Sequence, residues 1–234
     1  MLLGLDTTTE CLHLALVEPG EGGRSWTRLL PGAPGRSHSG VLLPGLKELL
    51  AEAGAASRDL TGVVACVGPG GFTALRIGVA TAEGLALTGL PTWGFSAFEL
   101  RARALRLAGY RETVWIVLDG QRQEAFLQPW GDGPLEAAHK RPLAELPGIV
   151  GAEAWWAPAA FRERAAAHLP QAPLALADEG AATLAGLVAI CRERSRQAPE
   201  TPLAPFYLRE TDAEVNFPEA SRHLTEALRR GVAR

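Results

Sequence analysis

A chain of 234 residues can form one large domain or two lobes sharing a cleft, and at 47% hydrophobic and 21% charged residues it buries a core instead of staying unfolded. The net charge of −3 offers no electrostatic case for free-standing nucleic-acid binding. Cys11, Cys66 and Cys191 are odd in number and without CxxC spacing, which argues against a disulfide framework or a zinc site and for a reducing compartment.

The N-terminus MLLGLDTTTE has no basic stretch and reaches an acid at position 6, so it does not read as a signal peptide. Leu2, Leu3 and Leu5 make a short buried strand. CLHLALVE alternates, with Leu12, Leu14 and Leu16 on one face and His13, Ala15 and Val17 on the other. The turn EPGEGG separates it from RSWTRLL, and such short links favour an antiparallel meander. A helix follows over 39–53, which Pro44 and Gly45 are expected to bend or to confine to its later residues.

LTGVVACVGPG is a buried strand entering a glycine turn, then come a helix over 72–88, the strand PTWGFS and the helix AFELRARALRLAGY. Strands ETVWIVLDG and QEAFLQPW follow, with another around 134–141; residues 149–176 resist assignment. EGAATLAGLVAICRERSRQ is a helix stopped before Pro199, and the tail reads as a docked extended segment and a terminal helix. VLDGQRQEAFLQ echoes LGLDTTTECLHLAL, since each is a strand ending in Asp, a polar turn and a second strand; this points to a duplicated two-lobed α/β fold. The lobe boundary is placed between 110 and 111.

Two turns offer anion chemistry. GLDTTTE presents an acid and hydroxyls, and GPGGFT opens a helix N-terminus, where free N–H groups and the dipole favour negative charge. The contact residues would be Asp6, Thr7, Thr8, Gly68, Gly70, Gly71 and Thr73. Against this, Thr8 stands where a phosphate turn wants glycine, and GPGGFT has neither a P-loop lysine nor GxGxxG spacing. The histidines, His13, His38, His139, His168 and His223, form no HxxxH pair, and there is no GxSxG elbow. Asp119 and Glu124 are a candidate acid pair, although strand-end residues are the commoner case.

LGLDTTTECLHLALV, RSHSGVLLPGLKELL, VGPGGFTALRIGVATAEGLAL and VLDGQRQEAFL together resemble the TsaB (YeaZ) family. They stand in the family's order and cover roughly the first 127 residues; PFYLR near the C-terminus fits as well. The family commonly has Ser at Gly71, Gly at Ala74, Tyr at Phe126 and a basic residue near Gln121. The resemblance implies a two-lobed actin/Hsp70-like (ASKHA, ribonuclease H-like) fold. It also implies a non-catalytic subunit without metal that dimerises with a TsaD-type catalytic subunit, works with a TsaE-type ATPase, and permits threonylcarbamoyl transfer to adenosine 37 of ANN-decoding tRNAs. No cofactor would be bound firmly, ATP being used through the partner subunits; tRNA would be met only in the complex, a homodimer would form when the partner is absent, and the setting would be cytoplasmic, off the membrane. An actin-like small-molecule kinase or ATPase is the first alternative and a glycoprotease-type metallopeptidase the second.

Between Phe72 and Thr88 only Arg76 and Glu83 are charged. A helix so apolar must bury one face on its own sheet and leaves a patch that monomers avoid exposing. A subunit interface is therefore expected at Leu75, Arg76, Val79, Ala82 and Glu83, with Leu42 and Leu46 beside them; burial of both sides within one lobe is the competing reading. Arg101, Arg103 and Arg106 on the next helix could add a local basic patch within a complex.

Overall fold

The computed structural model describes residues 1–20, 22–32 and 38–208. The first half runs β1 (Leu2–Asp6), β2 (Leu12–Val17), β3 (Ser25–Leu30), α1 (His38–Glu52), β4 (Gly62–Gly68), α2 (Phe72–Ala86), β5 (Thr92–Ser96) and α3 (Ala97–Leu107). The second continues with β6 (Val114–Gln121), β7 (Glu124–Trp130), β8 (His139–Pro142), α4 (Leu146–Val150), β9 (Trp155–Trp156), α5 (Ala159–Ala166) and α6 (Glu179–Arg194).

The strands form two sheets, ordered β3-β2-β1-β4-β5 and β8-β7-β6-β9. In each, a three-strand antiparallel meander is extended by a parallel strand, β4 beside β1 and β9 beside β6. The echo between the Asp6 and Asp119 turns is thus matched by a repeat of topology. Alternation in β2 falls as expected: Leu12, Leu14 and Leu16 join α1 and α2 in one core, while Ala15 and Val17 join α3 and α6 in another. A third core lies under Trp115, Val117 and Leu127, against Phe161 of α5. The layers therefore run α1/α2, first sheet, α3/α6, second sheet, α4/α5.

One expectation needs correction. Pro44 does not break α1, which runs continuously from His38 to Glu52. Leu42, Leu46, Leu49 and Leu50 bury its inner face, Gly45 lets it settle onto Leu30, and Pro44 is turned to solvent. Helix α6 comes from the second half of the chain but packs on β1, β2 and β3 beside α3. Small residues permit this: a side chain at Gly4 would strike Cys191 Sγ at 2.6 Å, and one at Gly186 would meet the Leu100 carbonyl oxygen at 3.1 Å. The unassigned stretch supplies α4, β9 and α5, with Trp155 and Trp156 wholly buried.

Beyond α6 the chain docks in extended form, as expected. Glu200 N donates to Thr92 O at 2.7 Å, Phe206 N donates to Val67 O at 2.6 Å, and Leu203 is buried. The terminal helix expected after it lies outside the described residues.

Candidate functional site

β1 ends on Asp6, and its carboxylate is fully consumed by the protein. Oδ1 accepts from Thr8 N at 2.9 Å and from Thr8 Oγ1 at 2.6 Å. Oδ2 accepts from Arg101 Nη2 at 2.9 Å, and His13 Nδ1 stands 3.4 Å away, an electrostatic contact more than a formed hydrogen bond. Asp6 is 0% exposed and Arg101 2%. Burial pushes the Asp6 carboxyl up, but the Arg101 guanidinium, His13 and Thr8 outweigh it and hold it far below the usual carboxylate range. Cys66 lies beside this cluster, its thiol pushed well up by burial and by the Asp6 charge.

The two turns meet. Thr7 Oγ1 donates to Ala74 O at 2.7 Å inside the first turn of α2, and a Cβ at Gly78 would come 2.5 Å from that hydroxyl. A Cβ at Gly70 would stand 2.7 Å from Thr8 Cβ and 2.8 Å from its carbonyl oxygen, so the glycine turn lies directly on the threonine turn. Gly68 adopts φ +115°, a conformation that favours glycine, and lies against the Phe206 carbonyl. Of the seven predicted contact residues, Asp6 and Thr7 are buried and spent on internal bonds, and Gly70 packs on Thr8. Gly71 and Thr73 are exposed at the α2 N-terminus, which no side chain among the described residues caps.

Asp119 and Glu124 do not pair. Asp119 Oδ1 accepts from Gln121 N and Oδ2 from Arg164, at 2.8 Å and 3.1 Å, whereas Glu124 faces Lys140. Among the described residues the histidines also stay apart: His38 Nε2 sits 2.8 Å from Thr9 O, and His139 lies against Glu136, while His223 lies outside the described residues. Among the described residues no three His, Cys, Asp or Glu side chains are arranged to hold a metal, and no helix is long and apolar enough to cross a membrane.

The α2 surface differs from its expected form. Leu75, Val79 and Ala82 are buried in the core beneath α2, together with Leu42 and Leu46 of α1, so they do not face outward. The sheet needs that stripe. Arg76 is exposed and stacks 3.8 Å over the Phe72 ring, while Glu83 is half-buried and accepts from Leu203 N at 2.8 Å. The outward line is Thr73, Arg76, Ala80, Gly84 and Leu87, the last 90% exposed, with Leu43 of α1 62% exposed on the neighbouring helix. At the α2 N-terminal end the Tyr207 ring stands 5.4 Å from Phe72.

Arg101 does not join a basic patch with Arg103 and Arg106, because it turns inward to Asp6. The available signal was helical spacing: Phe98, Arg101 and Leu105 share one stripe of α3, which sets Arg101 on the inward face. Nothing local in the sequence marked Tyr207 as a neighbour of Phe72.

The family model described as TsaD, tRNA N6-adenosine threonylcarbamoyltransferase, matches residues 29–132. The chain is 32% identical over 126 residues to the tRNA threonylcarbamoyladenosine biosynthesis protein TsaB of Haemophilus influenzae, covering 53% of this chain and 51% of that protein. It is 30% identical over 228 residues to an uncharacterized protein of Mycobacterium tuberculosis, covering 91% and 93%. YeaZ from Pseudomonas aeruginosa superposes with a TM-score of 0.68 at 25% identity, over 88% of this chain and 99% of that one. The chain spans about half the length of the TsaB proteins it matches.

Proposed function

The chain belongs to the TsaB/YeaZ family, with its actin-like fold, and from that premise we propose that it acts as the non-catalytic partner subunit in tRNA threonylcarbamoyladenosine synthesis. It pairs with a TsaD-type catalytic subunit, cooperates with a TsaE-type ATPase, and meets tRNA only within the complex. The observation that carries this reading is the outward face of α2. Ala80 and Gly84 present almost no side chain, Leu87 stands in solvent, and α1 carries a further exposed leucine, Leu43. Small residues let another helix approach closely, and an apolar face of this kind is covered by a partner or by a second copy of the chain.

Asp6 supports the non-catalytic half of the proposal. A kinase or ATPase of this fold needs the acid at that turn to face a metal-bound phosphate; here it is buried against Arg101, and Gly70 lies on Thr8. A metallopeptidase finds no support in the scattered histidines. No firmly held cofactor is proposed, and ATP is used through the partner subunits.

Arginine substitutions separate the two faces of α2. Val79→Arg and Ala82→Arg place a charge in the core and are expected to unfold the chain, by several kcal/mol of uncompensated burial. Ala80→Arg leaves the fold intact by circular dichroism but abolishes co-purification with the TsaD-type subunit and the tRNA modification that depends on it. A folded Ala80→Arg chain that still binds that subunit with unchanged affinity would falsify the docking face.

A further inference from the structure

Between the two lobes lies a cleft of about 270 Å³, lined by Gly70, Gly71 and Ala74 at the start of α2, by Arg101, and by the apolar side chains of Leu118 and Phe161. Two features of it are unused by the fold. The N-terminus of the 15-residue helix α2 has no side-chain cap among the described residues. Arg101 spends Nη2 on Asp6, but its Nη1, although buried, has no hydrogen-bond partner. A buried guanidinium nitrogen without an acceptor is costly, and here the residue that carries it lines a cleft beside the first amides of a helix, a combination that calls for an oxygen ligand.

The charge of the site limits that ligand. Arg101 and Asp6 neutralise each other, α2 contributes about half a positive charge, and Glu10 and Asp119 line the same cleft. A doubly charged phosphate group would face those two acids, whereas a carboxylate brings one charge in a planar group. We propose that the cleft binds a small molecule bearing a single carboxylate on an apolar body, held by Arg101 Nη1 and the first amides of α2, with the apolar part against Leu118 and Phe161. The inference rests on the cleft alone and does not depend on what covers the outer face of α2.

Benzoate is the probe, titrated into the full, isotope-labelled chain and followed by NMR at the Gly71–Ala74 amides and the Arg101 guanidinium. Saturable shifts at both places are expected, with benzyl alcohol, which lacks the charge, and inorganic phosphate each at least ten-fold weaker. Asp6→Asn combined with Arg101→Met removes both members of the buried pair and should weaken benzoate at least ten-fold. Should that variant misfold, Gly71→Asp decides the matter. Gly71 is exposed with φ −59° and ψ 126°, so aspartate fits there as a helix cap and places its own carboxylate where the ligand's would lie. That variant should be folded and should lose benzoate binding. Shifts that do not saturate, equal binding of benzyl alcohol, tighter binding of phosphate, or benzoate binding retained by Gly71→Asp each overturn the assignment.

Discussion

Asp6 closes β1 and Asp119 stands two residues before the end of β6, and the Oδ1 of each accepts the amide two residues on, at 2.9 Å for Asp6 and 2.8 Å for Asp119. Around that shared geometry the two lobes diverge. The first turn is sealed: α2 lies across it, Gly70 and Gly78 admit its threonines, and Arg101 from α3 takes the carboxylate out of water. The second is open, with a side chain 28% exposed and paired to an Arg164 that is 43% exposed. A repeated turn can therefore serve as a keystone in one lobe and as a surface loop in the other, depending on whether a helix covers it.

The largest expected effect breaks this contrast directly. Asp6→Asn leaves Arg101 buried without its counter-charge and should cost about 3–5 kcal/mol, whereas Asp119→Asn removes a solvated pair and should cost at most about 1 kcal/mol. Urea unfolding of the two variants measures both; equal losses would mean that burial does not distinguish the turns.

Gly78→Ala tests the seal itself. The new methyl must displace the Thr7 hydroxyl from the Ala74 carbonyl, at about 1–3 kcal/mol by analogy with overpacked cores. Adding Thr7→Ala should recover part of that loss, and strict additivity of the two changes would show that the contact is not where the cost arises.

Acid sharpens the comparison through linkage. The folded-state pKa of Asp6 lies below its unfolded value, so its stabilisation is fully present above about pH 4 and is lost as pH falls from there toward the folded pKa. One such group contributes at most about 1.4 kcal/mol per pH unit. In the variant carrying Asp6→Asn and Arg101→Met, the fall of Tm below pH 4 should be shallower than in the parent. An unchanged slope would place the acid sensitivity elsewhere.

The smallest effect belongs to the open turn. Arg122 and Gln123 join β6 to β7 with φ of 48° and 64°, the conformation in which hairpins favour Asn-Gly. Arg122→Asn with Gln123→Gly should raise stability by less than about 1 kcal/mol in thermal melts, with no change at the Gly71–Ala74 amides.

Much of the first lobe was legible because its signals are local. Leu12, Leu14 and Leu16 announce a two-faced strand, and GPGGFT announces a strand-to-helix turn, its first glycine at a φ that favours glycine. The second lobe was less legible where its elements are short. β9 is the two residues Trp155–Trp156, too few to show a period, and β8 is held by pairing with β7 more than by its own composition. The composition of α2 states how apolar the helix is without saying which stripe the sheet takes.

By itself the sequence determined the repeated strand–Asp–turn–strand units, the uncharged helix after the glycine turn and the family they mark, since each depends on neighbours a few residues apart. Tertiary structure alone decided that α6 crosses back to the first sheet, that Tyr207 comes to Phe72, and that the outward line of α2 is Ala80, Gly84 and Leu87. It also decided that Asp6 meets Arg101, 95 positions away. Those outcomes depend on which surfaces compete for burial once the layers stack, and a linear pattern carries the propensity to be buried but not the partner that completes it.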